Sequence, residues 1–142
     1  MANDVTKRRG KGGQFHSRYR LSNTVIAQIG NPMSFSSGRL ILATNSSAIT
    51  GIARENKTGT DSNFLYIEEV NKDTEYEMTT NATITAADVG VYFRLAIATN
   101  VFTVDKTAGA QTTTARQVVI TDFISATRCL VKFVKTAAFE DN

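Results

Sequence analysis

Between Asn81 and Ile97 the chain leaves one alternating apolar run and enters another through a short polar turn. Ile84 closes the first run. Thr85 and Asp88 have the spacing of a capping box around a single helical turn, and Gly90 is placed to leave that turn with positive φ. In Val91-Tyr92-Phe93-Arg94-Leu95-Ala96-Ile97 the odd positions are all apolar and Arg94 falls on the other face, the period-two pattern of a half-buried strand.

Short β-type runs recur on both sides. Thr24 to Ile29 is followed by Gly30-Asn31-Pro32, where the proline forces an extended residue and a turn. Met33 to Gly38 reads as a serine-rich loop, Arg39 to Thr44 as a buried strand, and Ile49 to Arg54 as a strand interrupted at Gly51 by a bulge or a close backbone approach. A polar loop over 55–63 leads to Phe64–Val70, where Leu65 and Ile67 share one face and Phe64, Tyr66 and Val70 the other. That strand is expected to be covered on both sides for part of its length. Val101 to Val104 alternates again, 105–114 is a loop, and 116–124 with 128–134 forms a hairpin through Ser125-Ala126-Thr127. Many short strands and hardly any amphipathic helix predict an all-β domain over 23–134, a single antiparallel β-barrel or β-sandwich, with a tail over 135–142.

Charge changes this picture at the front of the chain. Residues 1–20 hold Lys7, Arg8, Arg9, Lys11, Arg18 and Arg20 against Asp4, a net +5 in a chain of 142 residues whose total is +3. The stretch is glycine-rich and lacks apolar periodicity, so 1–22 reads as a flexible basic N-terminal arm. Phe15, Tyr19 and Leu21 are its apolar anchors, and Arg8, Arg9, Arg18 and Arg20 are suited to bidentate contacts with carboxylates. Glu68, Glu69, Asp73, Glu75 and Glu77 form an acidic stretch opposed only by Lys72. It reads either as a solvated face or as a surface that receives a basic segment, such as the arm of a neighbouring copy.

Candidate chemistry is sparse. The one histidine, His16, lies in the expected arm, where nothing holds a general base in place, and His16 with Cys129 cannot supply a zinc site. Cys129 alternates with Val131 and Phe133 and is expected to be a core residue. Gly10-Lys11-Gly12-Gly13 lacks the strand, helix and GK[ST] of a phosphate loop. The expectation is a non-enzyme with no catalytic residue, metal or cofactor. With no long apolar run and no signal-peptide core at the start, a cytosol-like compartment and no membrane are expected.

Three segments, Gly51-Ile52-Ala53, Ala87-Asp88-Val89-Gly90-Val91-Tyr92 and Phe123-Ile124-Ser125-Ala126-Thr127, are together similar to the small β-rich decoration or cement proteins of tailed-bacteriophage heads. The resemblance spans roughly residues 36 to 134. It implies a compact barrel or β-tulip-like body with an extended terminal arm, self-association in some members, and a place on the capsid surface of the virion. The implied role is to stabilise the shell by binding the major capsid protein. The arm is the expected anchor. The alternatives are a head-tail connector or head-fibre base component, or a nucleic-acid-binding β-barrel that uses the arm; nucleic acid is the less expected partner because the body offers no basic groove.

Overall fold

The structure, a computed structural model, describes residues 6–9 and 15–136. Its strands are β1 (Thr6–Arg9), β2 (Phe15–Arg20), β3 (Ile26–Ala27), β4 (Pro32–Ser36), β5 (Arg39–Leu42), β6 (Gly51–Ala53), β7 (Lys57–Thr58), β8 (Phe64–Glu69), β9 (Glu75–Thr79), β10 (Tyr92–Phe93), β11 (Leu95–Ala98), β12 (Val101–Val104), β13 (Val118–Ser125) and β14 (Arg128–Phe133). Two five-stranded antiparallel sheets organise them. One has the order β1-β9-β14-β13-β10, the other β2-β8-β6-β4-β5, and the ribbons β11-β12 and β3-β7 stand outside both. The fold is all-β and sandwich-like, and no barrel closes among the described residues.

Two apolar clusters hold the sheets. The larger joins Tyr76, Met78, Phe93, Val118, Ile120, Cys129, Val131 and Phe133 of the first sheet to Ile52 of the second and to Leu95, Phe102 and Val104 of the ribbon. The smaller lies on the opposite face of the second sheet and contains Leu21, Ala27, Met33, Leu40, Ala53, Leu65 and Ile67. The second sheet is therefore covered on both faces around β6. Along β8 the cover on one face runs out: Glu68 is buried, whereas Phe64 is 44% exposed.

The turn after Ile84 forms as its spacing predicts, with reciprocal Thr85–Asp88 capping around the one-turn helix Ala86–Asp88 and Gly90 at φ 88°. Gly51 marks a close approach, since a Cβ there would lie 2.7 Å from Ile67 Cδ1 and 2.8 Å from the Glu68 carbonyl oxygen. Three expectations are corrected. Met33 to Gly38 is not a loop: most of it is strand β4, because Ser34 hides its hydroxyl by donating to the Ala48 carbonyl at 2.6 Å. The single strand over 91–97 is two strands that part company at Arg94, β10 pairing with β13 and β11 with β12.

The third correction concerns the part of the arm that is described; residues 1–5 and 10–14 of it lie outside the described residues. Of the expected flexible stretch 1–22, residues 6–9 and 15–20 are strands at the edges of the two sheets, and Leu21 is fully buried in the smaller cluster. Alternation explains this: Ser17, Tyr19 and Leu21 point into the protein while Arg18 and Arg20 point away, a half-buried edge strand whose apolar face is hidden in composition by its cations.

Candidate functional site

The candidate residues of the front segment come together with β8. β2 runs antiparallel to β8 with Arg18 opposite Tyr66 and Arg20 opposite Phe64. Cross-strand neighbours on one face are close enough for side-chain contact. The Arg18 guanidinium carbon accordingly sits 5.4 Å from the Tyr66 ring centre and that of Arg20 5.0 Å from the Phe64 ring centre. At exposed sites such stacking contributes about 0.5–1 kcal/mol per pair. Arg20 also donates to the Asp61 carbonyl. Neither arginine forms an ion pair with a carboxylate among the described residues. Two cations are thus held over two rings at a solvent-facing edge, with their hydrogen-bonding capacity largely unspent.

The inward face of β2 does different work. Ser17 Oγ and Tyr19 Oη both donate to Glu69 Oε2, at 2.5 and 2.7 Å, and the Tyr19 ring packs edge-on against Phe35 at 5.1 Å. Tyr19 and Leu21, expected as anchors for a partner, are instead anchors for the strand itself. The backbone of Phe15 pairs with Glu69, and the backbone of β1, which carries Arg8 and Arg9, runs beside β9.

The acidic stretch is likewise not a free contact surface. Glu68 and Glu69 are buried. Glu68 accepts from Arg54 at 2.9 Å, Glu69 accepts from β2, and Glu77 pairs with Arg128. Asp73 sits exposed at a turn, and Glu75 is opposite Arg9 in the β1–β9 ladder. Burial of a carboxylate is costly unless it is paired, so the strands bring donors to these groups. The basic segment does meet the acidic one, within the same chain. Tyr76 lies beside this network, and its phenol is pushed far above the usual tyrosine range by burial first and by the Glu68 charge second, against the opposing pull of Arg54.

Cys129 is buried, and burial pushes its thiol up to about 12, so it is a thiol rather than a thiolate at neutral pH. His16 lies on β2, but its side chain is outside the described residues. Among the described residues no group of three or more His, Cys, Asp or Glu is placed to hold a metal ion, and no helix is long and apolar enough to cross a membrane.

Phe64 and Tyr66 are the members of this face that the candidate residues did not include. Their signal was available, since they alternate with the core residues Leu65 and Ile67 on a strand. What the sequence does not display is that β2 lies beside them. No protein-family model matches the chain, and no curated protein sequence matches it.

Proposed function

We propose that this chain is a non-catalytic structural component of a phage virion, a decoration protein that binds the outside of the shell built by the major capsid protein and stabilises it. The resemblance of the segments at 51–53, 87–92 and 123–127 to head decoration proteins supports the reading. The observation that carries it is the face on which Arg18 and Arg20 lie over Tyr66 and Phe64 with no carboxylate partner. Aromatic residues and arginine are the types that dominate interface energetics, and an arginine already held over a ring loses less freedom when a carboxylate arrives. Attachment therefore works through a preformed sheet face, in place of the loose arm that the charge distribution alone implies. Copies on a lattice of shell subunits multiply a modest single contact.

The test is co-sedimentation with phage shells that lack the protein. The wild-type chain is expected to pellet with them in hundreds of copies per particle, and Arg18→Glu/Arg20→Glu to lose at least about tenfold in affinity, the cost of removing one or two charge-assisted contacts. Failure of the wild-type chain to pellet overturns the decoration reading. Binding at a handful of copies transfers it to a portal-vertex part, such as a connector or fibre base. A second reading has its own observation: exposed Phe64 beside Arg20 could stack a nucleic-acid base. Steeply salt-dependent gel shifts lost in Phe64→Ala would favour it.

A further inference from the structure

A second cationic groove lies away from the β2–β8 face, at the end of the first sheet where β10, the segment before β13 and the segment after β14 meet. It has a volume of about 400 Å³ and is lined by Tyr92, Thr114, Arg116, Val134 and Lys135, within the range of small-ligand and side-chain pockets. The Arg116 guanidinium carbon is 4.0 Å from the Tyr92 ring centre, the closest of the cation–ring contacts in the described residues. Two backbone bonds fix the walls, Gln111 N–H to the Tyr92 carbonyl at 2.8 Å and Val134 N–H to the Gln117 carbonyl at 2.9 Å.

The charge here is unbalanced. Of the six cations between 89 and 136, Arg94, Lys106 and Arg128 are paired with Asp105, Asp88 and Glu77. Neither Arg116 nor Lys135 has an ion-pair partner among the described residues. Lys135 Nζ donates to the carbonyls of Ser46 at 2.6 Å and Thr114 at 3.2 Å. Those two bonds hold the ammonium in place and leave one of its three N–H groups to donate. Among the described residues Arg116 makes only a long bond from Nε to the Gln111 carbonyl, at 3.4 Å, which leaves its terminal fork to donate.

We propose that this groove is a carboxylate-binding site that takes the side chain of a glutamate or aspartate from an acidic peptide segment. The planar Arg116 fork presents two parallel N–H groups that the two oxygens of a carboxylate accept together, and phosphate, which such a fork also suits, is the competitor that the test separates from it. The Tyr92 ring and Val134 supply apolar walls for the methylene groups that precede a side-chain carboxylate. The site is independent of the β2–β8 face and stands whether or not that face binds a shell.

The test is a side-chain and amide NMR titration of the full chain, following Arg116 Nε–H and the Tyr92 ring, with N-acetyl-glutamate amide as probe. N-acetyl-glutamine amide and inorganic phosphate serve as comparators. Saturable binding in the millimolar range (about −4 kcal/mol at 1 mM) is expected for the glutamate probe, with the glutamine probe weaker by about tenfold or more. Arg116→Lys keeps the charge but removes the fork, and it is expected to weaken the glutamate probe by about tenfold. If that variant disturbs the amide spectrum, Tyr92→Leu, which removes the platform under the guanidinium, is read in the same way. Equal response to glutamate and glutamine, tighter binding of phosphate, or unchanged affinity in a folded Arg116→Lys overturns the assignment.

Discussion

Tyr19→Phe is the sharpest test of whether the front of the chain is a seated strand. The substitution removes one oxygen and keeps the ring, so the edge-on contact with Phe35 is preserved. What disappears is the 2.7 Å hydrogen bond from Tyr19 Oη to Glu69 Oε2. A hydrogen bond to a charged group contributes about 1.5–3 kcal/mol, and here the acceptor is a buried carboxylate that water cannot readily resolvate. Glu69 Oε2 retains the 2.5 Å bond from Ser17, which places the expected loss near the middle of that range, about 2 kcal/mol. At roughly 4 °C per kcal/mol for a domain of this size, the melting temperature should fall by about 8 °C. Urea unfolding measures the free energy, and hydrogen exchange at the Leu21 amide, which donates to the Asn63 carbonyl at 2.9 Å, reports whether the strand end loosens. A loss below about 0.5 kcal/mol, with fast exchange at Leu21 already in the wild type, would refute a docked β2, because an undocked segment adds nothing to stability.

Three further outcomes follow from the packing and the charges. Gln117 is fully buried and bridges three segments, accepting from Leu95 N–H at 2.8 Å and donating to the Thr44 and Ser47 carbonyls at 2.9 and 2.8 Å; Gln117→Leu should cost about 2–4 kcal/mol by denaturant titration, chiefly by orphaning the buried Leu95 N–H. Gly51→Ala pushes a methyl against Ile67 and the backbone of Glu68 and should cost about 1–3 kcal/mol, read as a lower urea midpoint. Asp105 is held below the ordinary aspartate value of 3.8 although burial, its largest single influence, works upward; Asn81, the Ala108 N–H and Arg94 together outweigh it. Asp88 is lowered by Lys106 first and the Thr85 N–H second. Both carboxyls are more acidic folded than unfolded, so their contribution is complete above the ordinary aspartate value and disappears as pH falls through their lower folded values. Thermal melts should therefore be flat from neutrality to about pH 5 and decline below about pH 4, and Asp105→Asn should flatten part of that decline.

Strands whose inward residues are uniformly apolar were legible from the sequence. Leu65 and Ile67, Phe102 and Val104, and Cys129, Val131 and Phe133 recur at every second position and are all buried, as is Leu130 between Cys129 and Val131. Harder to read were strands whose outward residues carry charge. β9 alternates Tyr76 and Met78 with Glu75 and Glu77, and its carboxylates read as an acidic surface although Glu77 is paired with Arg128. β2 follows the same rule with cations, and three glycines upstream reinforced the impression of a tail. The break at Arg94 left no local trace, because which strand β10 and β11 each pair with is decided by residues far along the chain. For the candidate site, the arginines were found from sequence and their aromatic platforms were not: pairing of β2 with β8 is a long-range fact.

That long-range pairing also sets a timetable for biosynthesis. Tyr19 and Glu69 are 50 residues apart in the chain, so at ribosomal speeds of about 5–20 residues per second the first segment waits roughly 3–10 s for its seat to be made. Over that interval Tyr19 and Leu21 remain in water on a nascent chain, bracketed by arginines that discourage premature sticking. A sheet closed this way is completed by a strand made well before its neighbour.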